Sequence, residues 1–203
     1  MSTSDVQKVK ITVADPSALG LFGLAMVTFV ASSQKLGITT GVAFIIPWAI
    51  FLGAILQLIA SLYDFKHNNI FGATAFGGYA FFWFGVAASW LIKLGAFGPA
   101  LAANADPKQL AFAFCGYLIF SLFMTIGSME TNKVLFSIFL FIDVLLLTLA
   151  IDTFSPNHTA HTIAAWSELL ISLLSFYGSA AVVLNQHFGR IFLPVGKPFG
   201  IFK

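Results

Sequence analysis

Asp15-Pro16-Ser17-Ala18-Leu19-Gly20-Leu21 reads as a helix that begins at the edge of an apolar layer. Asp15 is a residue type that satisfies the orphan N–H groups of a first turn, and Pro16 is pre-set for the first helical position. Gly20 and Gly23 leave one face of this helix almost without side chains, so that another backbone or a small solute can approach closely. The N-terminal end of a helix also carries partial positive charge, which favours a nearby anion. The same residues equally describe a capped helix start packed against a neighbour.

The composition around this stretch decides between a soluble and a membrane protein. Of 203 residues, 59% are hydrophobic and only 9% charged, with a mean hydropathy of +0.93. Soluble domains carry about 25% charged residues. The chain is therefore read as an all-α integral membrane protein, since its long apolar runs fit helices and not the short alternating segments of a barrel. Six spans are expected, at 18–33, 40–63, 70–93, 108–127, 133–153 and 160–188. They leave an N-terminal segment 1–17, a six-helix domain 18–188 and a tail 189–203. Residues 1–17 hold no apolar run long enough for a signal peptide, so the N-terminus is read as retained.

Basic residues orient the bundle. With the N-terminus inside, Lys8, Lys10, Lys66, Lys133, Arg190, Lys197 and Lys203 fall on the inner side, and Lys35, Lys93 and Lys108 on the outer side. Seven against three places both termini in the cytoplasm and the protein in the cytoplasmic membrane. A net charge of +2 is too small to suggest a nucleic-acid partner. Cys115 is the single cysteine, which excludes an intrachain disulfide.

No catalytic constellation is visible, and Gly196-Lys197 lacks the spacing of a phosphate-binding loop. Neither an enzyme nor an ATP-driven pump is expected, and no cofactor is called for. His158 and His161 are candidate metal ligands only in an exposed loop, and no metal is expected. The polar residues inside the spans are the informative ones: Thr28, Gln57, Thr74, Tyr79, Thr125, Asp143 and Glu168. Asp143 lies near the middle of the fifth span, where an unpaired charge costs several kcal/mol. Two readings stand: its protonation accompanies carboxylate movement, or it is a permanently protonated side chain bonded to a neighbouring helix. Glu168 reads as a mouth or packing residue.

Three blocks carry a resemblance to the acetate uptake transporter family, whose bacterial members are called succinate-acetate permeases. The opening stretch resembles the family's Asn-Pro-Ala-Pro-Leu-Gly-Leu, with Asp15 and Ala18 as departures. Asn69-Ile70-Phe71-Gly72-Ala73-Thr74-Ala75-Phe76, with Tyr79 and Phe82-Trp83 beyond it, is similar to Asn-Thr-Phe-Gly-x-Thr-Ala-Phe and its downstream aromatics. Leu184-Asn185-Gln186-His187-Phe188-Gly189-Arg190, with Leu193-Pro194-Val195-Gly196, resembles the family's C-terminal end. The resemblance implies a homohexamer in lipid, each protomer holding a path for acetate, succinate and other short monocarboxylates, either with a proton or as the anion through a channel-like route. It also implies that Leu19, Gly20, Leu24, Thr28, Gln57, Thr74, Tyr79, Ile142 and Asp143 line or serve that path. Leu24 and Ile142 would stand beside Tyr79 as a narrow apolar ring, and Tyr79, Thr74 and Thr28 would donate hydrogen bonds to carboxylate oxygens. Leu24 stands where the family commonly has an aromatic residue. A channel for a neutral solute such as urea is the alternative, and a membrane-embedded sensor or structural subunit a third class.

Overall fold

In a computed structural model that describes residues 13–202, the chain forms six long apolar helices joined by short turns, with no strand among the described residues. They are α1 (Ser17–Lys35), α2 (Ile45–Lys66), α3 (Ile70–Lys93), α4 (Pro107–Ser128), α5 (Lys133–Phe154) and α6 (His158–Phe188). A short turn of helix, Pro99–Ala103, lies between α3 and α4. Each long helix is apolar enough to cross a bilayer, and the protein is a multi-pass membrane protein. Lys8, Lys10 and Lys203, and most of the 1–17 segment, lie outside the described residues.

The expected spans are found with their ends displaced by a few residues. The largest shift is at α2, expected from residue 40 but starting at Ile45, because Gly41 adopts φ +73 in the preceding turn and cannot continue a helix. Polar caps fix the other starts. Asn69, Asn132 and Asn157 accept the N–H of Gly72, Leu135 and Ala160 at 3.2, 2.9 and 2.9 Å, and Asp106 accepts that of Lys108 at 2.9 Å. At α1 the details differ from expectation: Pro16 sits one residue before the first helical position. Its carbonyl takes the N–H groups of Leu19 and Gly20, while Asp15 Oδ1 accepts from Ser17 at 2.9 Å.

The helices close a ring in which α1 packs on α6, α6 on α5, α5 on α4, α4 on α3, α3 on α2 and α2 on α1. α1 and α2 cross at close range. There Gly23 faces the Leu52 carbonyl with no room for a Cβ. Opposite it, Ala49–Leu56 is wound as a π-helix, a wider winding that often accompanies functional sites. Its end is held by Gln57, whose backbone N–H meets the Ala54 carbonyl and whose Nε2 donates to the Gly53 carbonyl at 2.7 Å. Gln57 is thereby locked on the inner side of the ring.

Candidate functional site

α1, α3 and α5 all begin at the same end of the ring, and α6 finishes there. Between these ends lies a cavity of about 380 Å³. Its mouth is polar, with Asp15, Ser17, Asn69, Asn132, Asn185 and Gln186, and its deeper walls are apolar, with Leu21, Phe76, Ile138 and Phe139 among them. The cavity ends at Leu24, Tyr79 and Ile142. Those three side chains, each nearly buried, also line a second cavity of about 20 Å³ on the far side, where Thr28, Phe82, Trp83, Leu146 and Ile171 take over. That volume has room for about a single water molecule. Leu24, Tyr79 and Ile142 thus form an apolar neck between a wide vestibule and a tight compartment.

Tyr79 is held in place from three sides. Its hydroxyl donates to Ser121 Oγ on α4 at 3.0 Å, and its ring packs edge-on against Phe120 at 5.5 Å and tilted against Phe139 at 6.0 Å. Gln57 lines the vestibule, fully buried, and its Oε1 has no hydrogen-bond partner. Nε2 uses one of its two hydrogens on Gly53, and Oε1 is a buried acceptor left over beside the vestibule.

The sequence-based residues divide accordingly. Leu24, Gln57, Tyr79 and Ile142 line the vestibule. Thr28 lines only the compartment beyond the neck, and its hydroxyl donates back to the Leu24 carbonyl at 2.7 Å, as residues of this type do within apolar helices. Gly20 is buried against the Phe76 ring. Leu19 and Thr74 are exposed on the outside of the bundle. None of the three expected donors is free at the vestibule wall: the Tyr79 and Thr28 hydroxyls donate to Ser121 and to the Leu24 carbonyl, and the helical period puts Thr74 on another face than Gly72, Ala75, Phe76 and Tyr79. Asp143 is nearly buried but stands outside the cavity wall, where Oδ2 accepts from Thr125 Oγ1 on α4 at 2.7 Å and Oδ1 has no partner. Glu168 forms an ion pair with Lys35 at 2.8 Å, joining α6 to the end of α1. His161 meets Asp152 at 2.9 Å and the Lys35 carbonyl at 3.2 Å. Among the described residues no three acidic, histidine or cysteine side chains converge as a metal site requires.

Sequence reasoning missed Phe76, Phe139, Gly178 and Ala181, all part of the vestibule wall. The spacing of Gly72, Ala75, Phe76 and Tyr79 was the available signal, being one helical face. The tail also contributes. Asn185 accepts the N–H groups of Phe192 and Leu193 at 2.7 and 2.8 Å and donates to the Leu193 carbonyl at 2.9 Å, folding the chain back so that Val195 reaches the vestibule.

The sequence profile of the GPR1/FUN34/yaaH family matches residues 2–197. The chain belongs to this family. It is 33% identical over 186 residues to the succinate-acetate/proton symporter SatP of Escherichia coli strain K12, a match that covers 91% of this chain and 96% of the relative. Acetate permease A of Emericella nidulans is 27% identical over 197 residues, covering 90% of this chain and 65% of the permease. The solved structure of the bacterial acetate channel SatP superimposes with a TM-score of 0.84 at 32% identity, covering 91% of this chain and all of that one, 100%. For this GPR1/FUN34/yaaH protein, the three motif blocks meet at one place: Asp15, Asn69 and Asn185 all stand at the mouth of the vestibule.

Proposed function

We propose that the protein passes acetate, with succinate and other short carboxylates as further substrates, across the cytoplasmic membrane. The observation that carries this reading is the neck of Leu24, Tyr79 and Ile142 at the end of a wide vestibule. An apolar neck excludes hydrated inorganic ions, which lose too much on dehydration, while acetate offers a methyl group to the wall and a single carboxyl to solvate. At pH 7 an acid with a carboxyl like that of Glu is neutral in roughly one molecule in several hundred, so a protein route for the anion matters. With the vestibule on the cytoplasmic side both termini are cytoplasmic, as the basic residues suggest. The homohexamer is carried over from the family resemblance; α4 turns apolar side chains outward, as at Phe112, Ile119 and Phe123, a surface for lipid or a neighbouring subunit.

A path for a neutral solute such as urea is tested in the same experiment. In liposomes holding the purified protein, labelled acetate is expected to enter faster than into empty liposomes and to be slowed by propionate, with labelled urea at the empty-liposome rate. Urea entry without acetate entry would replace acetate by the neutral solute.

A further inference from the structure

One buried carboxyl is unused by the pathway described above. Asp64, near the inner end of α2, is 1% exposed and has no cationic partner among the described residues. Its Oδ1 accepts from Asn69 Nδ2 at 3.0 Å, and its Oδ2 has no hydrogen-bond partner. Asn69 is held from both ends, since its Oδ1 caps α3 through the Gly72 N–H at 3.2 Å. Oδ2 instead faces Gly72, where even an added Cβ would overlap it. The space cannot hold a metal ion with a ligand shell, but it can hold a hydrogen. Asn69 and Gly72, which border this carboxyl, both line the vestibule.

We propose that Asp64 is a proton-binding site beneath the vestibule wall, through which proton binding and carboxylate entry are coupled; this rests on the acetate reading above. A proton from the inner solution adds to Oδ2 and removes the negative charge, and it returns to solution when Asp64 ionises again. An anion in the vestibule and an ionised Asp64 repel each other, so each disfavours the other. By reciprocity, acetate entry favours the protonated carboxyl, and the proton favours acetate. Of the other acids in the helices, Glu168 is paired with Lys35 and Asp152 with His161; Asp143 also has one oxygen without a partner, but its bonded neighbour Thr125 does not line the vestibule, as Asn69 does. The ionisable neighbours of Asp64 are Asp15 ahead of α1 and His67 in the turn after α2. On its own helix the Lys66 ammonium sits over the Tyr63 ring at 4.8 Å, and α3 brings no ionisable group before Tyr79.

Infrared difference spectra of the purified protein between acidic and alkaline solution read the site directly. A protonated-carboxyl band should persist in Asp143→Asn and vanish in Asp64→Asn; the reverse pattern would overturn the assignment. In liposomes, Asp64→Asn should lose at least about tenfold of the acetate accumulation driven by a pH gradient, while acetate exchange at equal pH stays within about twofold, and Asp64→Glu should recover the gradient response. Gradient-driven accumulation at the wild-type level in Asp64→Asn would refute the site. Absence of equal-pH exchange in the wild-type protein would refute the acetate reading instead.

Discussion

Leu24→Trp is expected to lower acetate flux by at least about tenfold, equivalent to a barrier raised by about 1.4 kcal/mol or more. Leu24 lines both the vestibule and the compartment beyond it, so its side chain is part of the neck that separates them. The compartment behind the neck is only about 20 Å³, so there is little free space on that side for an added ring. An indole at position 24 fills the remaining space from α1, and Tyr79 cannot yield easily while its hydroxyl is bonded to Ser121 and its ring is held by Phe120 and Phe139. Leu24→Ala acts in the opposite direction: it joins the two spaces, raises acetate flux and admits longer or branched monocarboxylates. Initial rates of labelled acetate and lactate uptake into liposomes measure both variants. Unchanged acetate flux in Leu24→Trp would place the route elsewhere.

The second large effect is on stability. Glu168 is 2% exposed and its ion pair with Lys35 ties the end of α1 to α6. Removing one partner of a buried pair costs about 3 to 5 kcal/mol, since the remaining charge is left without compensation. Lys35 is at the end of its helix and its side chain is 14% exposed, so it can reach toward solvent; Glu168→Ala should fall near the lower figure, about 3 kcal/mol. The double variant Lys35→Met with Glu168→Ala should regain most of the loss, because no orphaned charge remains. Thermal unfolding in detergent, compared across the wild type, the single and the double variant, reads this directly. A double variant as unstable as the single one would show that the pair matters through packing and not through charge.

The spans were legible because bilayer thickness imposes a length on every apolar run, and their starts because Asn69 and Asn132 stand at the N-caps of α3 and α5. The winding within a span was not. Nothing in Ala49–Leu56 announces a π-helix, which lies where Gly23 of α1 meets the Leu52 carbonyl. Facing was also hard to read, because lipid is as apolar as the bundle interior. Thr74 and Tyr79 are both polar-bearing residues of α3, yet one points outward and the other into the neck, and hydropathy treats the two faces alike. Leu24 and Ile142 were reachable through the family resemblance alone, since isolated aliphatic residues in apolar helices carry no signal. Asp143 drew attention by its charge, whereas Asp64, at the end of its span beside Lys66 and His67, reads in sequence as an ordinary solvated acid. Only the fold shows that it is buried.

Passage of acetate through the neck is open to a direct test by cysteine chemistry. Cys115 is the only cysteine in the sequence, so a cysteine-free protein needs one change, Cys115→Ser. In that background Ile142→Cys and, as a control, Thr74→Cys can each be treated with a small thiol-directed reagent while labelled acetate uptake is followed in liposomes. Modification at position 142 should stop most of the flux, and preloaded acetate should slow the modification, whereas complete modification at the outward-facing position 74 should leave flux unaltered. Full acetate flux through protein completely modified at position 142 would contradict the account.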